Sequence, residues 1–568
     1  MDAKEPKWIL PGPEIEKVAE RLMNERLMPP HFARMLAIRN LSTLAEAESF
    51  ISPALEGLRD PFLMKDMDRA VDRLKQAMSN GERIMILGDY DVDGVCGTAL
   101  FIRVMSSLGI NVGYHVPNRF SEGYGVSREG IDRAIKFGAT LLISIDSGIT
   151  AFAEAEYARS KDIDFIITDH HEPQSTLPDA LAIVDPKRNE CDYPFRELAG
   201  VGVMFKLLQA LYDNTDLDPS DLYDELDLVA LGTAADVVPL IDENRVLAKF
   251  GIERMKNTAN TGLAALMEIS RAVKERSNSN NIVYFLAPRL NAPGRLSNAS
   301  KTVELLICEN WLRALAIAEE IEEENSIRRQ MNDRVYNEAE AMILAMNHDE
   351  WSNGIILASK DWHQGVIGIA ASRIVEKYYL PTVLISLDNN VGKGSARSIK
   401  EFDICGAMGE CEDILDTYGG HKYAAGLSIK ADKIQEFTKR FREIVSRELP
   451  EGIPSPSITI DSELGFSSLN DMLLKFLDKL SPYGENNPMP LFLTRNLMPV
   501  GDSRIVGNNH LKFRVTDGSF VFDAIAFNMG DFKNRIRQGQ PSVDILYNVE
   551  RNHWMGKNTI QLVVKAMR

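Results

Sequence analysis

Ile84-Met85-Ile86-Leu87-Gly88-Asp89-Tyr90-Asp91-Val92-Asp93-Gly94 sets a short apolar run against three carboxylates spaced two residues apart. The arrangement recurs. Leu141-Leu142-Ile143-Ser144-Ile145 runs into Asp146-Ser147-Gly148, and Phe165-Ile166-Ile167-Thr168 into Asp169-His170-His171. Leu181-Ala182-Ile183-Val184 runs into Asp185-Pro186, and Leu228-Val229-Ala230-Leu231 leads to Asp236. Each run predicts a strand; a helical pattern over 68–78 leads into the first, and others over 98–107, 128–137, 150–159 and 201–212 alternate with the strands. Near-continuous apolar strands alternating with helices predict a parallel α/β sheet. Ligands bind outside the carboxyl ends of such strands, which is where the Asp and His residues fall.

At 568 residues the chain exceeds one core, so two to four domains are expected. No run of ~18 apolar residues occurs, so no membrane association is expected. Met1-Asp2-Ala3-Lys4-Glu5-Pro6 lacks an apolar signal segment. Five cysteines without a Cys-x-x-Cys pair point to a reducing, cytoplasmic setting. A net charge of -18 argues against a nonspecific duplex-DNA coat. From Arg495 onward, however, 11 Lys and Arg face 6 Asp and Glu, compatible with local grip on a polyanion.

The pattern divides the chain into a helical N-terminal extension (1–64), a first α/β domain (65–310) and a long Pro- and Gly-free helix (311–347). A smaller α/β domain follows over 348–452, with Gly452-Ile453-Pro454-Ser455-Pro456 as a linker. Short alternating strands at 511–515, 521–527, 543–549 and 559–564 predict an all-β barrel within 453–568.

Three carboxylates as close as Asp89, Asp91 and Asp93 repel unless a cation neutralises them. Gly88 and Gly94 permit a tight turn that aims them at one point. The preceding apolar strand and the missing bidentate Glu argue against a calcium loop. Asp146, Asp236 and the adjacent His170 and His171 extend the set at neighbouring strand ends. An oxygen-rich site with imidazole nitrogen favours Mn²⁺ or Mg²⁺ over zinc. Two such ions ~3.5–4 Å apart serve phosphoester hydrolysis.

Asp89–Gly94, Asp146-Ser147-Gly148, Asp169-His170-His171 and Ala235-Asp236-Val237-Val238-Pro239 together resemble the DHH phosphoesterases. Gly419-Gly420-His421-Lys422-Tyr423-Ala424-Ala425-Gly426 resembles the DHH-associated domain. Length, motif order and the terminal barrel, which resembles an oligonucleotide-binding (OB) fold, are similar to the bacterial 5′→3′ single-stranded-DNA exonucleases of that family. The resemblance implies one divalent cation held by Asp89, Asp91 and Asp146. A second would be held by Asp93, Asp146, His170 and Asp236, with Asp146 bridging. His171 would face the scissile phosphate, and Asp169 would support the imidazole or the loop. Asp89 replaces the His that begins this motif in many relatives.

For the strand itself, Arg119 and Tyr124 in the loop 117–125 suit phosphate contact and stacking. Arg289 and Arg295 resemble the family's arginine motif. Ser395 and Arg397, with the backbone N–H groups of 392–397, are candidates for a terminal 5′ phosphate. Gly420 and His421 open a stretch where the backbone can approach a phosphate. The expected activity is a two-metal 5′→3′ exonuclease on single-stranded DNA in repair and recombination. The resemblance also implies a single-strand-binding protein and a helicase as partners, and a monomer is expected. The alternatives are a phosphoesterase of short oligonucleotides, cyclic dinucleotides or pyrophosphate, and an inactive DNA-binding scaffold. The intact ligand set argues against the scaffold, and the barrel against the short-substrate enzyme.

Overall fold

The computed structural model describes residues 6–271, 282–537, 541–554 and 557–568. The chain forms two compact units. The larger contains Trp8–Leu290, Ala299–Ala318 and Thr459–Arg568; the other contains Asn291–Asn298 and Glu319–Ile458.

The larger unit is built on five parallel strands: β1 (Ile84–Gly88), β2 (Val112–His115), β3 (Leu141–Ile145), β4 (Asp164–Thr168) and β5 (Ala182–Val184). Their order is β2-β1-β3-β4-β5. Every residue of β1, β3 and β5 is buried, which is why these runs are apolar on both faces rather than alternating. Helices α1 (Val92–Ser107), α2 (Gly200–Asp213) and α3 (Leu226–Ala235) form a largely buried layer. Two sequence expectations change here. Leu228–Leu231 lies in α3, not in a strand, because a helix buried on all sides shows the same short apolar run as a doubly covered strand. The acidic motif is also less of a turn than expected. Asp91 is the N-cap of α1, so Asp93 and Gly94 already belong to the helix's first turn.

The N-terminal helices Pro13–Glu25, Pro30–Ile38 and Leu44–Ile51 share one hydrophobic core with the C-terminal barrel. Phe32 stacks on Phe476 with ring centroids 4.0 Å apart. Buried Arg39 pairs with Asp461 at 3.0 Å and donates to Asn487 Oδ1 at 2.6 Å. In the barrel, the strand Phe492–Pro499 pairs with both Val543–Trp554 and His510–Thr516. Val521–Ala526 and Lys557–Met567 complete the circuit, so the sheet closes on itself. Phe513 is buried in its core, Phe522 packs against that core, and Phe520 is exposed. The Trp554 side chain lies outside the described residues.

The smaller unit carries a five-stranded sheet in the order Thr417–His421, Ala424–Lys430, Val391–Arg397, Thr382–Asp388, Ile355–Ser359. The glycine-rich stretch 392–397 is therefore a central strand paired on both sides. Its backbone N–H groups are engaged in ladders and not free for a phosphate, a correction that non-local pairing alone makes visible. The helix Trp311–Ala345 begins in the larger unit and continues into the smaller one.

Candidate metal centre and nucleic-acid contacts

The register of the sheet brings the acidic residues to one level. Gly88 pairs with Ile145, and Ile145 with Thr168. The next residues extend the ladder by one bond each: Asp89 N donates to Ile145 O (3.2 Å), Asp146 N to Thr168 O (3.0 Å) and Asp169 N to Val184 O (3.2 Å). Asp89, Asp146 and Asp169 thus stand on adjacent strand ends. Asp146 adopts a left-handed φ of 61°, a conformation that costs free energy for a non-glycine residue and clusters at functional sites.

Helices supply the rest. Asp91 accepts from Asp93 N (2.9 Å) and Gly94 N (3.2 Å). Asp93 accepts from Gly200 N (2.6 Å) and Val201 N (2.9 Å) at the N-terminus of α2, where the dipole favours an anion. Asp236 caps the C-terminus of α3. Two glycines allow the approach: a Cβ on Gly200 would lie 2.6 Å from Asp146 Oδ1, and one on Gly232 would lie 2.8 Å from Asp93 Oδ1.

The potential ligand atoms gather in three overlapping groups, each within 4.8 Å: Asp89, Asp91 and Asp146; Asp93, His170 and Asp236; and Asp146, His170 and His171. His170 Nε2 lies 3.0 Å from Asp146 Oδ1 and 3.7 Å from Asp236 Oδ2. Burial, reinforced by Asp91, raises the Asp89 carboxyl well above its ordinary range; burial with Asp93 and Asp91 does the same to Asp146. Burial and Asp91 push Asp93 up to about 7; burial, Asp93 and Asp91 push Asp236 up to about 9. Burial and the neighbouring His171 lower His170 to about 3, leaving a neutral imidazole suited to ligation.

Asp169 has a different task. Its Oδ1 accepts from His170 N (2.7 Å), His171 N (3.1 Å) and His171 Nδ1 (2.7 Å), and its Oδ2 accepts from Ile149 N (2.9 Å). Burial alone would raise Asp169, but the His171 hydrogen bond and charge hold it below its ordinary value. Burial alone would lower His171, but Asp169 and the other nearby carboxylates raise it to about 9.

The residues fit divalent cations. Asp89 Oδ1 and His170 Nε2 are buried yet have no hydrogen-bond partner among the described residues. Orphaned acceptors of this kind, converging with carboxylates that repel one another, match an oxygen-rich donor set with one imidazole.

Around the cluster, the Tyr124 hydroxyl lies 3.2 Å from His171 Nε2, and Arg119 lies over the Tyr90 ring at 4.8 Å. Tyr90, unnoticed in the sequence as an aromatic partner, also meets Tyr124 edge-on. Asp185 was noted only as a strand-end residue. It is buried, and burial together with Asp169 pushes its carboxyl up to about 8. Arg289 donates to Phe285 O (2.5 Å) in the larger unit, whereas Arg295 belongs to the smaller, so the arginine motif is divided between them.

In the smaller unit, Arg397 donates to Ser395 Oγ (3.0 Å). A Cβ on Gly368, in the first turn of the helix Ile367–Tyr378, would lie 2.8 Å from Ser395 Oγ and 3.0 Å from Arg397. Ser395 and Arg397 therefore sit against a helix N-terminus, an anion-binding element the sequence reading missed. Arg295 donates to Gly365 O (3.3 Å) just ahead of that helix. His421 pairs with Ala424, and Ala424 with Arg397, so His421 shares this end of the sheet. Gly420 and His421 lie on an exposed edge strand.

A parallel sheet bearing Asp, Asp and Asp-His-His at its carboxyl edge, followed by a second α/β unit and a small barrel, is the build of a DHH-type phosphoesterase. The family models agree: the DHH family N-terminal domain matches residues 83–233, the DHHA1 domain 352–447 and the RecJ OB domain 460–566. The chain is 38% identical over 570 residues to the single-stranded-DNA-specific exonuclease RecJ of Bacillus subtilis, covering 100% of this chain and 71% of that protein. It is 35% identical to RecJ of Escherichia coli, covering 94% and 95%. The crystal structure of Thermus thermophilus RecJ with Mn²⁺ matches with a TM-score of 0.83 at 28% identity, covering 99% of this chain and 79% of that one. The Mg²⁺ complex matches at 0.76. The chain belongs to the RecJ family of single-stranded-DNA-specific exonucleases. Among the described residues, no helix is long and apolar enough to cross a membrane.

Proposed function

We propose that the chain is a two-metal-ion exonuclease that hydrolyses single-stranded DNA from its 5′ end, in DNA repair and recombination. The observation that carries this reading is the pair of ligand groups Asp89/Asp91/Asp146 and Asp93/His170/Asp236, linked by a third, Asp146/His170/His171, in which His170 approaches Asp146 to 3.0 Å. Asp89, Asp91 and Asp146 would hold one cation, and Asp93, Asp146, His170 and Asp236 the other. Mn²⁺ or Mg²⁺ bound there supplies Lewis-acid stabilisation of the attacking and leaving oxygens. Asp169 orients His171, so that its imidazole faces the scissile phosphate.

The 5′ polarity is assigned to the second anion site: Arg295, Ser395, Arg397, Gly420 and His421 hold the terminal phosphate, with the helix N-terminus beside them. Arg119, Tyr124 and Arg289 contact the strand, and the OB-like barrel extends that contact. Residues 65–310 form the catalytic domain, 311–347 the connecting helix, 348–452 the substrate-binding domain and 453–568 the OB-like domain. Residues 1–64 form the helical extension. A single-strand-binding protein and a helicase are the proposed partners of a cytoplasmic monomer.

The test is release of label from 5′- and 3′-labelled single-stranded and duplex DNA in Mn²⁺ or Mg²⁺, for wild type and Asp146→Ala. Wild type is expected to release 5′ label from single strands first, and Asp146→Ala none. Metal-independent release, or initial loss of 3′ label, refutes the reading.

A further inference from the structure

The second histidine of the Asp-His-His motif, partly exposed, meets a phenol. Its Nδ1 lies 2.7 Å from Asp169 Oδ1, and a carboxylate engaged by three N–H groups only accepts, so Nδ1 carries a proton. Its other nitrogen, Nε2, lies 3.2 Å from the Tyr124 hydroxyl, which donates to the Asp146 backbone carbonyl at 3.4 Å. That carbonyl can only accept. The phenol's one proton can serve either neighbour, and the two contacts hold its oxygen between His171 Nε2 and the Asp146 carbonyl. The result is a continuous chain: Asp169 carboxylate, His171 imidazole, Tyr124 hydroxyl, Asp146 carbonyl.

Tyr124 is 55% exposed, while its hydroxyl reaches the buried centre. The ring is braced at its edges by Tyr90 (centroids 6.1 Å) and His171 (5.9 Å). The loop that carries it is anchored just before the tyrosine, because Glu122 binds His115 Nε2 (2.8 Å), Ser127 Oγ (2.7 Å) and Asn118 N (2.9 Å). A rotating hydroxyl needs no backbone movement to re-aim its proton. The long 3.4 Å bond to Asp146 O is the weakest link of the chain.

Building on the exonuclease reading, we propose that Tyr124 is a catalytic residue: its hydroxyl donates to a non-bridging oxygen of the scissile phosphate, and His171 acts through it. On substrate binding the phenol proton turns from its resting acceptor to the phosphate oxygen. The His171 contact behind it, with the imidazole itself fixed by Asp169, holds the hydroxyl at that position. No covalent bond changes at Tyr124 or His171.

The test is a double-mutant cycle on the full chain with 5′-phosphorylated single-stranded DNA and Mn²⁺, comparing wild type, Tyr124→Phe, His171→Gln and the double variant. Phenylalanine retains the ring and its edge contacts and removes only the hydroxyl. Tyr124→Phe is expected to lower kcat about tenfold or more, the usual effect of losing a charge-assisted hydrogen bond, with KM within about twofold. In the His171→Gln background it is expected to lower kcat by less than about twofold, because the relay is already broken. Losses that multiply in the double variant, or Tyr124→Phe with wild-type kcat, overturn the proposal. The second outcome assigns Tyr124 to base stacking alone. An unchanged Mn²⁺ affinity and melting temperature show that each variant is folded. An inactive wild type would refute the exonuclease reading instead, so the two failures are distinct.

Discussion

Asp236→Asn should stabilise the metal-free protein while removing a ligand. In the folded chain, burial first and then Asp93 and Asp91 lift the Asp236 carboxyl from its ordinary 3.8 to about 9. The folded state thus holds a proton that the unfolded chain releases. For an acid with a raised folded value, stability is complete below pH 3.8 and is lost as pH climbs towards 9. The loss is about 1.4 kcal/mol per pH unit, a ceiling on the order of 4 kcal/mol at pH 7. Asparagine titrates in neither state and escapes this loss. Urea unfolding of the full chain in EDTA should therefore favour Asp236→Asn over wild type, by a margin that widens from pH 5 to pH 8. Saturating Mn²⁺ should reverse the order, because wild type gains the free energy of metal binding and the variant gains less. A margin independent of pH, or wild type more stable than the variant in EDTA at pH 8, refutes the account of the cluster as carboxylates held together at a cost until a cation arrives.

Mn²⁺ binding itself should release protons and tighten as pH rises from 6 to 9, since Asp93 and Asp236 are held at about 7 and about 9. Calorimetry in buffers of different ionisation enthalpy checks this, and buffer-independent heats would contradict it. Asp169→Asn should cost roughly 10–100-fold in kcat with little change in KM, because the amide loses the negative charge beside His171 and, with its oxygen in place of Oδ1, sets its NH₂ against the Ile149 N–H that Oδ2 now accepts. Steady-state kinetics on labelled oligonucleotides measures both constants. Arg397→Ala should reduce the preference for 5′-phosphorylated over 5′-hydroxyl ends by about tenfold or more, without altering Mn²⁺ affinity; competition between the two oligonucleotides reads this directly. Arg245→Met should destabilise the larger unit by about 3 kcal/mol or more. Arg245 donates to five carbonyls, those of Phe50, Lys479, Leu480, Ser481 and Pro482. Thermal unfolding shows the loss.

The strands β1, β3 and β4 were legible because a parallel strand covered on both faces must be apolar throughout, and the polar residue that ends it is conspicuous. The same reasoning misreads Leu228–Leu231, where α3 is apolar because it too is enclosed on every side. Glycines at 392–397 suggest backbone N–H groups open to a phosphate, but they are small because neighbouring side chains press against a central strand. A Cβ on Gly394 would lie 2.7 Å from Leu427 Cγ. The helices before residue 52 were legible as a helical extension punctuated by Pro11, Pro13, Pro29 and Pro30. Their packing against the barrel was not, since nothing local records which distant surface an apolar face will meet.

Residue type and order along the chain determine the chemistry on offer: carboxylates and one imidazole for hard cations, a second imidazole, and arginines and a serine for phosphate. Those are covalent facts and need no fold to be read. Which carboxylates share a cation, which histidine stays neutral and which becomes cationic, and the meeting of Tyr124 with His171 depend on through-space distances and burial. Register sets Asp89, Asp146 and Asp169 side by side, Gly200 and Gly232 let other elements close on them, and exclusion of water moves each proton affinity. Electrostatic energies fall with distance in space rather than along the chain, so folding assigns roles that the order of residues leaves open.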